Sequence, residues 1–173
     1  RVRAGPSDGH SAGRQAALEF EEVRRRQPEL VEAELWQARA WRAARDSAAE
    51  AAAYRRYLQQ RPHSTGVRLL LAERLVEQGW YQDAATLLQP YDAQESDSAE
   101  GAPPGSRARI TYLRSRLLSA QQEPGRAGEM MLLAAEQGYA PEEVARGFAE
   151  DLALYPDAPA LWFAYGNWLR TAE

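Results

Sequence analysis

The feature that most constrains this chain is an internal repeat. Pro28 and Pro62 stand 34 positions apart, as do Phe20 and Tyr54, Ala17 and Ala51, and Val23 and Tyr57. A further step of 34 carries Tyr54 to Leu88, Tyr57 to Tyr91 and Arg45 to Gly79. A unit of this size cannot bury its own apolar face, so neighbouring units must stack to make a core. A chain of 173 residues then divides into about four to five stacked units rather than folding as one domain around a single core.

Composition says what the units are made of. Alanine is about a fifth of the chain and leucine about a tenth, against six valines and the single isoleucine Ile110. Strands favour β-branched residues, whereas Ala, Leu, Glu, Gln and Arg favour helices. The expected fold is all-α, with about nine helices paired into antiparallel hairpins.

Breakers and caps place these helices. A first helix over 14–27 stops at Pro28, and a second runs over 29–44. Asp46 or Ser47 caps a third, which ends near Gln60 before Pro62. Ser64 or Thr65 caps a fourth, closed by Gly79. A fifth starts at Tyr81 and kinks or stops at Pro90, where proline removes a hydrogen bond. Further helices are expected over 107–122, 126–137, 141–154 and 159–171, the 141–154 helix with Pro141 in its first turn. Residues 1–13 read as a frayed end and 92–106 (DAQESDSAEGAPPGS) as a flexible loop. The organisation is thus 14–91 and 107–173, flanking that loop. The chain opens without Met and ends inside a helical pattern, so it is expected to be part of a longer protein.

Several classes of function are disfavoured. The chain has no cysteine, which removes disulfides, thiolate zinc sites and cysteine nucleophiles. Apolar runs such as Met130–Ala135 are far shorter than the roughly 20 residues of a spanning helix, so no membrane insertion is expected. All 21 basic residues are arginine, a bias that reads as the codon usage of a GC-rich bacterial genome. The net charge of −4 disfavours a nucleic-acid partner. His10 and His63 have no ligand-spaced company, so neither a metal nor a cofactor is expected. GRAG at 125–128 lacks the Gly-Lys-Ser/Thr ending of a phosphate-binding loop. The acidic residues fall on expected solvent faces, and no acid–base pair stands out. No enzymatic activity is expected.

The pattern resembles the tetratricopeptide repeat (TPR) family. In LAERLVEQGWYQDAATLL, Leu71-Ala72, Leu75, Gly79, Tyr81, Ala84 and Leu88 follow the family's order; in PDAPALWFAYGNWL, Pro156, Trp162, Tyr165-Gly166 and Leu169 do so. Ala16, Phe20, Val23 and Pro28, then Tyr54, Tyr57 and Pro62, match the family's second helices. Glu50 departs, standing where a small alanine belongs, and the phase after 106 is ambiguous because 126–137 and 141–154 both read as second helices. The resemblance implies a right-handed superhelical solenoid whose first helices line a concave, partner-binding face. The corresponding residues are Glu32, Leu35, Arg39 and Arg42, then Leu69, Glu73, Val76 and Glu77, then Phe163, Asn167 and Arg170. The Lys and Asn clamp by which some family members hold a C-terminal carboxylate is absent, because Leu35, Arg39 and Leu70 occupy its places.

Other side chains are read as scaffold. Trp36, Trp41, Trp162 and Trp168 lie at helical spacing and are expected in the core, with Trp80 partly exposed in a turn. Arg24, Arg25 and Arg26 suit a helix C-terminus, and Arg107, Arg109, Arg114 and Arg116 mark a basic helix able to dock an acidic partner. The expected function is a non-catalytic scaffold that binds another protein or a peptide. A bacterial periplasmic setting, in the style of exopolysaccharide export scaffolds, is favoured over the cytoplasm. The alternatives are an RNA-binding helical repeat and a regulatory domain of an enzyme or transcription factor.

Overall fold

The structure, a computed structural model, describes residues 6–91 and 105–171. Among the described residues there are nine α-helices and no strand. They are α1 (Pro6–Arg26), α2 (Glu32–Ala43), α3 (Ser47–Gln60), α4 (Thr65–Glu77), α5 (Tyr81–Leu88), α6 (Ser106–Ala120), α7 (Pro124–Glu136), α8 (Pro141–Leu154) and α9 (Pro159–Thr171). The all-α expectation holds, and the helices pack on neighbours in the chain as a helical repeat requires. Pro90 ends α5, and the chain tightens into a 3-10 turn over Gln89–Tyr91. Of the expected loop, residues 92–104 lie outside the described residues.

The chain forms two compact units, Arg1–Arg74 and Leu75–Glu173, divided within α4. In the first, α2 packs between α1 and α3. Small residues make this possible: Ala17, Ala33, Ala38, Ala51 and Ala53 are all buried at the crossings. The N-terminal helix departs from expectation, because α1 begins at Pro6 and makes helix of residues 6–13, set aside above as a frayed end. Gly13 supplies the reason. A Cβ there would lie 2.6 Å from Ala44 N and 2.9 Å from Ala40 O, so only glycine lets α1 close on the end of α2.

The repeat is written into the turns. Asp46 N donates to Trp41 O at 3.0 Å, and 34 positions on Trp80 N donates to Leu75 O at 2.8 Å. Glu123 N to Leu118 O and Tyr139 N to Ala134 O close the same six-residue ring. Each ring holds a residue with positive φ: Arg45 at 56°, Gly79 at 76°, Gln122 at 63° and Gly138 at 85°. Asp46 also caps α3, its Oδ1 accepting from Ala49 N at 3.0 Å.

In the second unit α7 is central, packing on α6, α8 and α9. Met131, Val144, Phe148, Leu161, Ala164 and Trp168 form its core. Gly147 of α8 lies against Met131, whose Sδ would stand 2.8 Å from a Cβ at that position. Gly128 of α7 receives Leu161 and Ala164 of α9 in the same way. Both α7 and α8 bury one face here, which is why both read as second helices.

The tryptophans divide. Trp168 is buried and Trp41 half-buried, as expected of core residues. Trp36 and Trp162 are not core: they are 38% and 50% exposed. Trp36 leans on Phe20 with ring centroids 5.8 Å apart. Trp162 turns back to the chain before α9, its Nε1 donating to Pro156 O at 2.8 Å. Trp80 is 45% exposed, in keeping with its turn.

An alanine for glycine inside a helix ordinarily stabilises by about 1 kcal/mol. At Gly13 the sign is expected to reverse, with Gly13→Ala losing about 1–3 kcal/mol through overpacking against backbone. Urea unfolding of the two proteins measures this, and an unchanged or raised midpoint would show that α1 does not close on α2 there.

Candidate functional site

Glu32, Leu35, Arg39 and Arg42 recur along α2 at helical spacing and share one face. Glu32 and Arg39 are exposed and Leu35 is half-buried. Arg42 is 43% exposed but committed inward, its Nε donating to Glu50 Oε1 at 2.8 Å and its Nη2 to the Tyr54 hydroxyl at 3.1 Å. Burial works against the Arg42 charge, but the Glu50 hydrogen bond and the nearby Tyr54 and Glu73 outweigh it and hold its pKa above the ordinary value.

On α4, Leu69 is 1% exposed and cannot line a binding face; it belongs to the core. Glu73 and Val76 are half-buried and Glu77 is exposed. On α9, Phe163 is 70% exposed, Asn167 half-buried and Arg170 exposed, with the Arg170 guanidinium donating to Asn167 Oδ1.

The largest difference from expectation concerns acids. Glu34, Glu50 and Asp151 face inward rather than to solvent, and each is 2% exposed or less. Glu34 of α2 accepts from Arg56 Nε of α3 at 2.8 Å and stands 3.6 Å from Arg24 Nε of α1. Arg56 also donates to Gln37 Oε1 at 2.6 Å, and Gln37 donates to Ala17 O at 3.2 Å. Three helices are thereby joined through one carboxylate. Glu50 of α3 does the same for its neighbours, meeting Arg42 of α2 and, at 3.4 Å, Arg74 of α4. The arginine cluster ending α1 divides accordingly. Arg25 and Arg26 pair with Glu22 along their own helix, while Arg24 turns to Glu34.

Asp151 of α8 is fully buried. Its Oδ1 accepts from Arg116 Nη1 at 2.8 Å and from Ser119 Oγ at 2.7 Å, both on α6. Arg116 Nη2 reaches Glu150 Oε2 at 2.6 Å, and the Tyr155 hydroxyl donates to Ser119 O at 2.7 Å. Arg116, expected on a basic docking face, is therefore a clamp between α6 and α8. Asp151 Oδ2 has no hydrogen-bond partner among the described residues. Burial lifts the Asp151 carboxyl above the usual carboxylate range, although Arg116 and the Ser119 bond pull the other way. Burial likewise pushes the Tyr112 hydroxyl up to about 12.

The signal for these acids was helical phase. Glu34 shares a stripe with Gln37 and Ala38, and Asp151 with Val144, Gly147 and Phe148, all of them buried. A cleft of about 420 Å³ in the second unit also went unread. Leu88, Leu117 and Met130 line it together with Arg114, Arg126 and Glu129. Among the described residues, no three His, Asp or Glu side chains come together as metal ligands. Among them, too, no helix is long and apolar enough to cross a membrane.

No family model, curated protein or solved structure matches this chain. The class it belongs to is thus defined by its fold: an all-helical, repeat-like chain with paired charges inside and exposed ridges on α2 and α9.

Two measurements test the internal clamps. Glu50→Ala leaves two arginines facing each other, and its expected cost is about 3 kcal/mol, the lower end for a broken buried pair because Arg42 reaches water. Chemical denaturation reads this, and a cost below about 0.5 kcal/mol, the range of an ordinary surface change, would show the clamp to be idle. For Asp151 the folded carboxyl holds its proton more tightly than the unfolded one does. Its contribution is then complete below the ordinary Asp value of 3.8 and is lost as pH rises through the higher folded value. Relative to Asp151→Asn, wild type should lose stability as pH climbs from 3.8; a relative gain would contradict the raised value.

Proposed function

We propose that this chain is a non-catalytic protein-interaction scaffold of the TPR-like kind, holding a partner protein or peptide on the exposed face of its helices. One observation carries the reading. On α2, Glu32 and Arg39 point outward with Leu35 half-buried between them, while Glu34 and Gln37 on the opposite side of the helix are tied to α1 and α3. A ridge held from beneath presents apolar and charged groups with little ordering left to do on binding, which favours association. Arg39 can meet a partner carboxylate with two parallel hydrogen bonds. The style of the sequence supports the finer setting, a bacterial envelope scaffold of exopolysaccharide export; fractionation of the full-length parent tests it, and a cytosolic parent would end it.

The α2 ridge is tested by a photo-crosslinking residue placed at position 32, 35 or 39 in the native cell. Expected is one common protein adduct at 35 and 39, weakened by Arg39→Glu in the protein carrying the probe at 35. Absence of an adduct at all three positions would remove α2 as the binding face.

A further inference from the structure

The cleft of about 420 Å³ in the second unit falls within the size range of small-molecule sites, roughly 300–1,000 Å³. Its lining is drawn from single faces of two helices. Arg114, Leu117, Leu118 and Gln121 of α6 are three, four and seven positions apart, the spacing of one helical stripe. Arg126, Glu129 and Met130 make the same kind of stripe on α7, and Leu88 comes from the end of α5.

The lining combines two chemistries. Leu88 and Leu117 are nearly covered, and Leu118 and Met130 are half-buried, so the apolar share suits a short hydrocarbon body. The polar share is Arg114, Arg126, Glu129 and the Gln121 amide. Two guanidiniums against one carboxylate favour an anion over a cation. A guanidinium edge also matches a carboxylate with two parallel hydrogen bonds.

Arg126 has such an edge to offer. Its Nη1 donates to Glu123 of the same helix, while Nε and Nη2 have no hydrogen-bond partner among the described residues. The Glu123 pair spans three positions and is solvent-exposed, a kind worth at most about 1 kcal/mol, so it does not compete strongly with a ligand. Glu129 limits the charge that the cleft accepts. A second negative charge on the ligand would be repelled by its carboxylate.

We propose that this cleft binds a small amphiphilic monocarboxylate, with the hydrocarbon body on Leu88, Leu117, Leu118 and Met130 and the carboxylate on Arg114 and Arg126. The site shares no residue with the α2 ridge, so either can fail alone.

The test is a titration of the whole isotope-labelled chain with octanoate, followed through amide NMR shifts. Saturable shifts are expected around Leu88, Leu117 and Met130, with a Kd of about 1 mM or below. Octanol and octylammonium, which keep the tail and lose the negative charge, should bind at least about fivefold more weakly. Octyl phosphate, which carries more than one negative charge at neutral pH, should bind no more tightly than octanoate. Two substitutions at exposed positions should move the affinity in opposite directions: Arg126→Glu weakens octanoate binding at least about fivefold, and Glu129→Gln tightens it about twofold or more. Adsorption to an apolar surface would respond to neither. Unchanged circular dichroism shows that both variants fold. Octanol binding as tightly as octanoate, tighter octyl phosphate, shifts that saturate elsewhere, or indifference to either substitution would each overturn the proposal. So would the absence of any shift up to about 10 mM octanoate, which is how a cleft reserved for a protein partner would behave.

Discussion

The structure depends on how three carboxylates are kept out of water. Glu34, Glu50 and Asp151 each lie between helices, and each is met by an arginine from a neighbouring helix. A buried ion pair adds little net stability compared with apolar side chains of the same volume. Its effect is on choice. A helix that slides or rotates leaves a charge buried without its partner, which costs several kcal/mol, so alternative registers are heavily penalised. A core assembled largely from alanine needs such a device. Methyl groups interlock weakly, and the faces of α1, α2 and α3 would otherwise fit one another in several ways.

Alanine and glycine prepare the ground for these clamps. Ala17 and Ala51 vanish into the crossings, and Gly13 brings two backbones together. Close axes put the second half of a long side chain within reach of the next helix. Arg56 of α3 can reach Glu34 of α2, and Arg116 of α6 can reach Asp151 of α8, because each pair of helices packs directly together. The exposed ridges of α2 and α9 thus rest on an interior fixed by charge as much as by packing.

Local chemistry was legible in the sequence, and pairing was not. Asp46, Gly79 and Pro90 act within a few residues of themselves, so their roles as cap, closure and stop could be read directly. Glu50 looked like a defect in the repeat because its partners, Arg42 and Arg74, lie on other helices. Leu69 and Trp36 show the same limit from the apolar side. Their places along a helix were clear, but which side of the helix its neighbours cover is decided by packing. Leu69 therefore sank into the core, while Trp36 stayed partly in water.

The four turns with a left-handed residue carry one more consequence. They share a ring of backbone hydrogen bonds, yet two of the four residues at the strained position are Arg45 and Gln122 rather than glycine. The ring is therefore specified by backbone, and the side chain at its centre is free to drift at a penalty of roughly 1 kcal/mol. A repeat can in this way persist as geometry long after it has faded as spelling. Each non-glycine turn also holds a small reserve of stability that a substitution to glycine would release.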